Sequence, residues 1–237
     1  MLFFYVRHGD PIYEPDMLTP LGREQARAIA KRLCLFGIDR VFASSSTRAR
    51  ETAEPTAKLL KKEITLCDWA HESLAWDELT VVRADGSRTW GFLDNDTIKL
   101  FLSKEMKDMG DSWYTHPSLP ETFAKGTKRI DEEVDKFFLS LGYRHDRENA
   151  RFEVIKPNNE RVALFAHQGF SMSFFSSMLD IPYPLFSTHF DIGHTGMCVV
   201  NFEEQDGYVY PRVLQYANDS HLYREGILTG YHNQIRF

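Results

Sequence analysis

Two apolar runs of strand length, far apart in the chain, each break off in a histidine with a glycine close behind. The first, Leu2 to Val6, ends in Arg7-His8-Gly9; the second, in the strand Arg161 to Ala166, ends in His167-Gln168-Gly169. Neither run alternates polar with apolar residues, so both read as strands buried on two faces, the pattern of a parallel sheet covered by helices. In an open sheet of that kind ligands bind just beyond the carboxyl ends of the strands. Two imidazoles and an arginine are therefore expected at the edge where a site belongs.

The stretches between the two runs follow the same rhythm. After Gly9 the segment Asp10 to Met17 carries Pro11 and Pro15 and reads as loop. Thr19 then caps a helix with Pro20 at its first position. The helix runs to about Leu35 with Leu21, Ala28, Ile29, Leu33 and Phe36 on one stripe, and Gly37 ends it. Arg40 to Ala43 is a second strand, Ser44 to Ala53 a hydroxyl-rich turn opening a helix, and Ile64 to Cys67 a third strand. Strand and helix in alternation imply right-handed crossovers and a parallel sheet, hence an α/β fold. From Asp68 the rhythm breaks. The region from about 68 to 125 is aromatic and acidic, with helical segments at Thr97–Lys107 and from Glu121 to Leu141, and with no strand candidate. It is expected to be an insertion, or lid, over the carboxyl edge of the sheet. Tyr143 to Pro157 alternates in part, as a hairpin or a loop. Met197–Phe202 and Tyr208–Tyr216 flank Gln205-Asp206-Gly207 as an antiparallel pair at the sheet edge, and the last twenty residues or so read as a surface tail. With no repeat, low-complexity run or linker, the 237 residues read as one domain.

Three features carry chemistry. Arg48 or Arg50 sits near the start of the second helix, where the positive end of the helix dipole disfavours cations unless an anion lies among them. A histidine at a strand end can be neutral near pH 7 and attack through one ring nitrogen. A carboxyl group after the third strand can protonate a leaving oxygen; Glu72 is best placed, with Asp77 and Glu78 as rivals. Arginines and histidines converging on one edge suit a phosphoryl group, whose transfer needs mostly positioning and charge stabilisation. The net charge of -6 argues against a nucleic-acid binder. Cys34, Cys67 and Cys198 show no metal or redox spacing and read as reduced, mostly buried thiols. No run is long enough to span a membrane and no signal peptide opens the chain, so a cytoplasmic protein, monomer or homodimer, is expected.

The motifs resemble those of the histidine phosphatase superfamily, the phosphoglycerate mutase-like proteins. Arg7-His8-Gly9 followed by Leu18 to Ala26 looks like the family's opening. Ser45 to Ala53 resembles its second motif, Ala166-His167-Gln168-Gly169 its second histidine motif, and Asn218-Asp219-Ser220-His221-Leu222 a common C-terminal signature. The resemblance selects Arg48 over Arg50. It implies a three-layer α/β/α sandwich and phosphomonoester hydrolysis through a phosphohistidine on His8. It also implies phosphate held by Arg7, Arg48 and His167 and a proton from Glu72, with no metal or other cofactor. Only nine residues separate Gly9 from Thr19, a shorter loop than mutases have. A small phosphomonoester and the phosphatase branch are thus expected, with Asp10, Tyr13 and Gln168 as candidates for substrate choice.

Rival readings are a mutase-type phosphotransferase, a phosphate-binding protein without catalysis, and a serine hydrolase using Ser171 with Asp191 and His194 or Asp219 and His221. A metal site of His8, His167 and acids is opposed by the neighbouring arginines.

Overall fold

The computed structural model describes residues 1–230 of the chain. Its centre is a six-stranded sheet in the order Arg212–Asn218, Met197–Asn201, Leu2–Arg7, Arg161–Ala166, Arg40–Ser44, Ile64–Cys67. Leu2–Arg7, Arg161–Ala166, Arg40–Ser44 and Ile64–Cys67 pair in parallel, whereas Met197–Asn201 is antiparallel to both its neighbours. The sheet is the mostly parallel one expected.

The two histidine-bearing strands lie side by side, and their register runs from Leu2 opposite Arg161 to Arg7 opposite Ala166. His8 and His167 therefore leave the sheet at matching steps. Successive side chains of a strand point to opposite faces, and here each face meets its own core. Phe3, Tyr5, Val162 and Leu164 enter one core with Phe138, Phe170 and Phe174. Phe4, Val6, Ala163 and Phe165 enter the other with Ile29, Leu33, Ala53 and Ala57. Helices Pro20–Phe36 and Thr47–Leu60 cover the second face, and Glu121–Ser140 and Gln168–Leu179 cover the first. This is the three-layer α/β/α arrangement.

Local signals explain the helix starts. Thr19 caps the first helix, its hydroxyl accepting from the Gly22 N–H at 3.0 Å, with Pro20 at the first position. Ser46 caps the next, and Arg48 is its buried second residue while Arg50 is exposed. Gly9 and Gly22 must both lack side chains, because a Cβ on Gly9 would lie 2.6 Å from the Gly22 carbonyl oxygen and one on Gly22 2.2 Å from that of Asp10. That contact seats the first helix against the chain leaving the first strand.

Several expectations need correction. Residues 68–125 do contain strands: Thr80–Val82 and Arg88–Trp90 form a hairpin. Three-residue strands around Gly86 carry too little alternation to register as a pattern. The Thr97–Lys107 segment is two helices, Asn95–Phe101 and Lys104–Met109, because Ser103 caps a new start. Tyr143–Asp146 and Arg151–Val154 form the hairpin, within a second sheet of four strands. The Gln205-Asp206-Gly207 turn belongs to that sheet, joining Glu204–Gln205 to Tyr208–Val209, while Arg212–Asn218 forms the edge of the main one. The expected surface tail instead carries helix Ser220–Arg224 with His221 and Leu222 buried; its residues 231–237 lie outside the described residues.

Candidate active site

Arg7, His8, Arg48 and His167, singled out by their positions at strand or helix ends, arrive at the carboxyl edge of the parallel strands, whereas Arg50 is exposed. His8 is 1% and His167 0% exposed, and their ring centroids are 5.2 Å apart. One ring nitrogen of each histidine and a carboxylate oxygen of Glu72 lie within 4.8 Å of one another.

The His8 ring is fixed by its own chain. Its Nδ1 lies 2.7 Å from the Gly9 carbonyl oxygen, which can only accept, so Nδ1 carries the proton and Nε2 keeps a lone pair. Gly9 is anchored in turn, donating its N–H to Thr52 Oγ1 at 3.0 Å. Burial, then the charges of Arg7 and Arg48, hold the His8 pKa well below the usual value of 6.5, so the ring is neutral at neutral pH.

His167 is held from the opposite side. Its Nε2 meets Ser44 Oγ at 2.8 Å and Ser46 Oγ at 3.3 Å, while its buried Nδ1 has no partner and stands 3.6 Å from Glu72 Oε2. The Tyr5 hydroxyl donates to the His167 carbonyl at 2.6 Å and accepts its N–H at 3.1 Å, securing the strand end from below. Burial, then His8 and Arg48, keep this imidazole neutral as well.

Arg7 donates Nη1 to the Ile192 carbonyl at 2.6 Å and Nη2 to His194 Nε2 at 3.0 Å. Arg48 donates Nη1 to Asp16 at 2.7 Å and Nη2 to Glu72 Oε2 at 2.9 Å. Both leave a buried Nε without a partner. Two guanidinium Nε groups and the His167 Nδ1 are thus buried polar atoms without hydrogen-bond partners, each costing about 1–3 kcal/mol while unpaired. An anion would relieve all three. Glu72 opens helix Glu72–Glu78 and also accepts the Gly169 N–H at 3.0 Å. Gly169 has no room for a side chain, since a Cβ there would lie 2.2 Å from the Trp90 ring.

The rivals for Glu72 are elsewhere. Glu78 is buried in a bidentate pair with Arg129, at 2.6 Å from Nη2, and Asp77 is a surface partner of Arg88. Of the substrate-choice candidates, Asp10 lies 3.5 Å from His194 Nδ1, the exposed Tyr13 ring lies 5.3 Å from the Arg48 guanidinium carbon, and Gln168 donates to Asp191 at 2.8 Å. The serine-hydrolase arrangement is contradicted. The Ser171 hydroxyl is fully buried and donates to the Gln168 carbonyl at 2.6 Å inside its own helix turn, while His194 serves Arg7 and His221 meets Thr195. His8, Glu72 and His167 have the spacing of a metal triad, but Arg48 already neutralises Glu72 and both guanidinium groups oppose a cation. The three cysteines are free, and burial pushes the Cys67 and Cys198 thiols up to about 12.

Asp16, Ser44, Ser46 and His194 were not assigned to the site from sequence. His194 precedes the antiparallel strand Met197–Asn201. An antiparallel strand brings its leading residues to the edge where its parallel neighbours end, so the placement depends on a direction the sequence does not state. Asp16 did leave a signal: helix Thr47–Leu60 has an arginine but no acid in its first turn.

Solved structures that share this fold include phosphatases. A phosphoserine phosphatase mutant of Entamoeba histolytica, solved with phosphoserine, is 18% identical and superposes with a TM-score of 0.58 over 93% of this chain and 98% of its own. A mycobacterial glucosyl-3-phosphoglycerate phosphatase solved with VO3 is 16% identical, with a TM-score of 0.57 over 91% and 98%. Residues 4–90 match the histidine phosphatase superfamily (branch 1), so the resemblance read from the motifs is borne out. Two relatives, each a mitochondrial serine/threonine-protein phosphatase Pgam5, from Drosophila persimilis and Drosophila pseudoobscura pseudoobscura, are 46% identical over 56 residues, 21% of this chain. The match spans 19% of the length of those relatives. Among the described residues no helix is long and apolar enough to cross a membrane.

Proposed function

We propose that the chain is a phosphomonoester hydrolase working through a phosphohistidine on His8. The observation that carries this reading is the fixed tautomer of His8, with Nδ1 bound to the Gly9 carbonyl and Nε2 left as the nucleophile beside three unpartnered donors. The substrate phosphoryl group binds between Arg7 Nε, Arg48 Nε and His167 Nδ1. The His8 Nε2 lone pair attacks phosphorus as the bond to the ester oxygen breaks, and the leaving oxygen takes a proton from Glu72. Glu72 then takes a proton from water, whose oxygen attacks the phosphohistidine; inorganic phosphate leaves and His8 is restored. Charge stabilisation comes from the arginines and His167, so the scheme calls for no metal ion.

The domain reading fits this scheme: residues 68–125 supply Glu72 and the Trp90 ring packed on Gly169 and form part of the wall of the site. Phosphatase activity is favoured over mutase by the short loop from Asp10 to Leu18. Small phosphomonoesters are the substrates in view, phosphoserine being bound in one structural neighbour and glucosyl-3-phosphoglycerate appearing in the name of another. The test is turnover of an aryl phosphate together with trapping of an acid-labile phosphohistidine, on wild type and His8→Ala. Turnover and labelling by the wild type alone are expected. No turnover and no label at His8 would sink the proposal, and isomerisation of a monophosphoglycerate faster than phosphate release would replace it by the mutase reading.

A further inference from the structure

Arg48 lies at the positive end of a helix, yet the anions beside it are the protein's own. Asp16 Oδ2 accepts the Thr47 N–H at 2.7 Å and Asp16 Oδ1 accepts Arg48 Nη1 at 2.7 Å, so one carboxylate supplies both the missing acidic group of the helix start and a partner for its arginine. Glu72 Oε2 takes Nη2 at 2.9 Å. Nε, buried, takes nothing. A guanidinium offers an oxyanion two bidentate edges, Nη1 with Nη2 or Nε with Nη2. Binding at the first edge would compete with both carboxylates and disturb the Asp16 bridge between Arg48 and the Thr47 N–H. Binding at the second competes only with Glu72, whose other oxygen accepts the Gly169 N–H at 3.0 Å, and it satisfies the orphan Nε. The second edge is therefore the cheaper one to occupy.

We propose that Asp16 is a positioning residue for Arg48: it pins Nη1, so that an arriving phosphoryl group takes the Nε–Nη2 edge and displaces Glu72, releasing that carboxyl towards the leaving group. The step from release to proton donation rests on the hydrolase reading above; the exchange of Glu72 for phosphate at Arg48 does not. Asp16 is held for this task. Its loop is closed by the pairing of Pro11 with Leu18, and the Leu18 N–H donates to Glu51 of the same helix at 2.7 Å. Tyr13, on the same loop, has its ring 5.3 Å from the Arg48 guanidinium carbon. The loop from Asp10 to Leu18 thus acts on phosphate binding through Arg48.

The two acids make opposite predictions. Removing either deletes one negative charge from the site, and simple electrostatics would tighten phosphate binding in both cases. The proposal instead requires Glu72→Gln to bind inorganic phosphate several-fold more tightly, because a competitor for Nη2 has gone. Asp16→Asn should bind it about tenfold more weakly, because Arg48 is no longer pinned by a charge-assisted bond. Calorimetric titration of the full chain with inorganic phosphate reads both, with Arg48→Gln and the Asp16→Asn/Arg48→Gln double variant completing a cycle. The double variant should match Arg48→Gln alone, whereas a merely structural effect of Asp16 would add to it. Tighter or unchanged binding by Asp16→Asn, or additivity in the cycle, overturns the proposal. If Asp16→Asn fails to fold, the Glu72→Gln arm still tests it, since unchanged or weaker binding there overturns it too. The expected pattern of binding in a protein that never labels His8 would uphold the exchange while removing the catalytic reading.

Discussion

His8 and His167 stand at the same step of adjacent parallel strands, follow equally apolar runs, and are equally buried. Their surroundings nevertheless assign them different chemistry. The His8 ring bonds through Nδ1 to a carbonyl one residue away, which fixes Nε2 as an acceptor with a lone pair. The His167 ring bonds through Nε2 to two serine hydroxyls and presents Nδ1 to the space between the arginines and Glu72. A serine hydroxyl can donate or accept, so His167 is free to carry its proton on Nδ1 and give a hydrogen bond to an anion. Strand position brings an imidazole to the site; the partner of its other nitrogen sets what it does there.

The largest effect that can break this contrast is at His8. Replacing it with alanine removes the bond-forming atom, and turnover of an aryl phosphate should fall at least about a thousandfold, with no phosphohistidine recovered. A variant that kept most of its activity would show the nucleophile to be elsewhere. His167→Ala should still form the phosphoenzyme, but slowly. Losing one charge-assisted bond to the transferring group costs about 1.5–3 kcal/mol, or roughly one to two decades in kcat/KM, measured in the same assay. If His167→Ala instead abolished labelling while His8→Ala did not, the two roles would have to be exchanged.

How far this contrast could be read without coordinates follows from what each part depends on. The sheet, its parallel pairing and the arrival of Arg7, His8, Arg48 and His167 at one edge follow from burial pattern, written in runs such as Val162 to Ala166, and from the alternation of strand with helix. Glu72 was legible only in part. Its rival Glu78 differs from it by six positions, under two turns of helix, yet turns inward to Arg129, and only packing decides which face looks at the site. The hairpin Thr80–Val82 with Arg88–Trp90 was missed because its pairing is too short to show a period. Asp16, Ser44 and His194 act through hydrogen bonds made across long sequence separations, among them those at 2.7, 2.8 and 3.0 Å to Arg48, His167 and Arg7. The local pattern records only the want of an acid at the start of helix Thr47–Leu60.

A smaller perturbation sharpens the comparison without removing either ring. Ser44→Ala takes the closer hydroxyl from His167 Nε2 and leaves Ser46 at 3.3 Å. The ring then loses one neutral hydrogen bond, worth about 0.5–1.5 kcal/mol, and kcat/KM should drop about three- to tenfold. His8 phosphorylation at saturating substrate should be retained. An effect as large as that of His167→Ala would mean that the serines do more than orient the ring.

The weakest effect is on stability, and it uses a third buried histidine as the control. The side chain of His145 is fully buried, as are those of the site histidines, but its nitrogens lie 2.9 Å from Asp135 Oδ1 and 2.8 Å from Asp180 Oδ2, with Arg147 against both acids. Burial alone would lower its pKa; the hydrogen bonds to Asp135 and Asp180 outweigh this and raise it above 6.5. The folded protein therefore holds this proton more tightly than the unfolded chain. Stability from His145 is complete below pH 6.5 and is lost as pH rises through the folded value. His8 and His167 are shifted the other way, so their neutral rings cost nothing above pH 6.5, and folding is penalised as pH falls from 6.5 towards their lowered values. Thermal melts across pH should accordingly show a decline on each side. Each pKa unit of difference is worth about 1.4 kcal/mol, a few degrees of melting temperature for a chain of this size. His145→Gln should flatten the alkaline decline and leave the acid one, while turnover per folded molecule stays unchanged. Flattening of the acid side instead would show that His145 is held neutral, and that burial rather than the two carboxylates governs it.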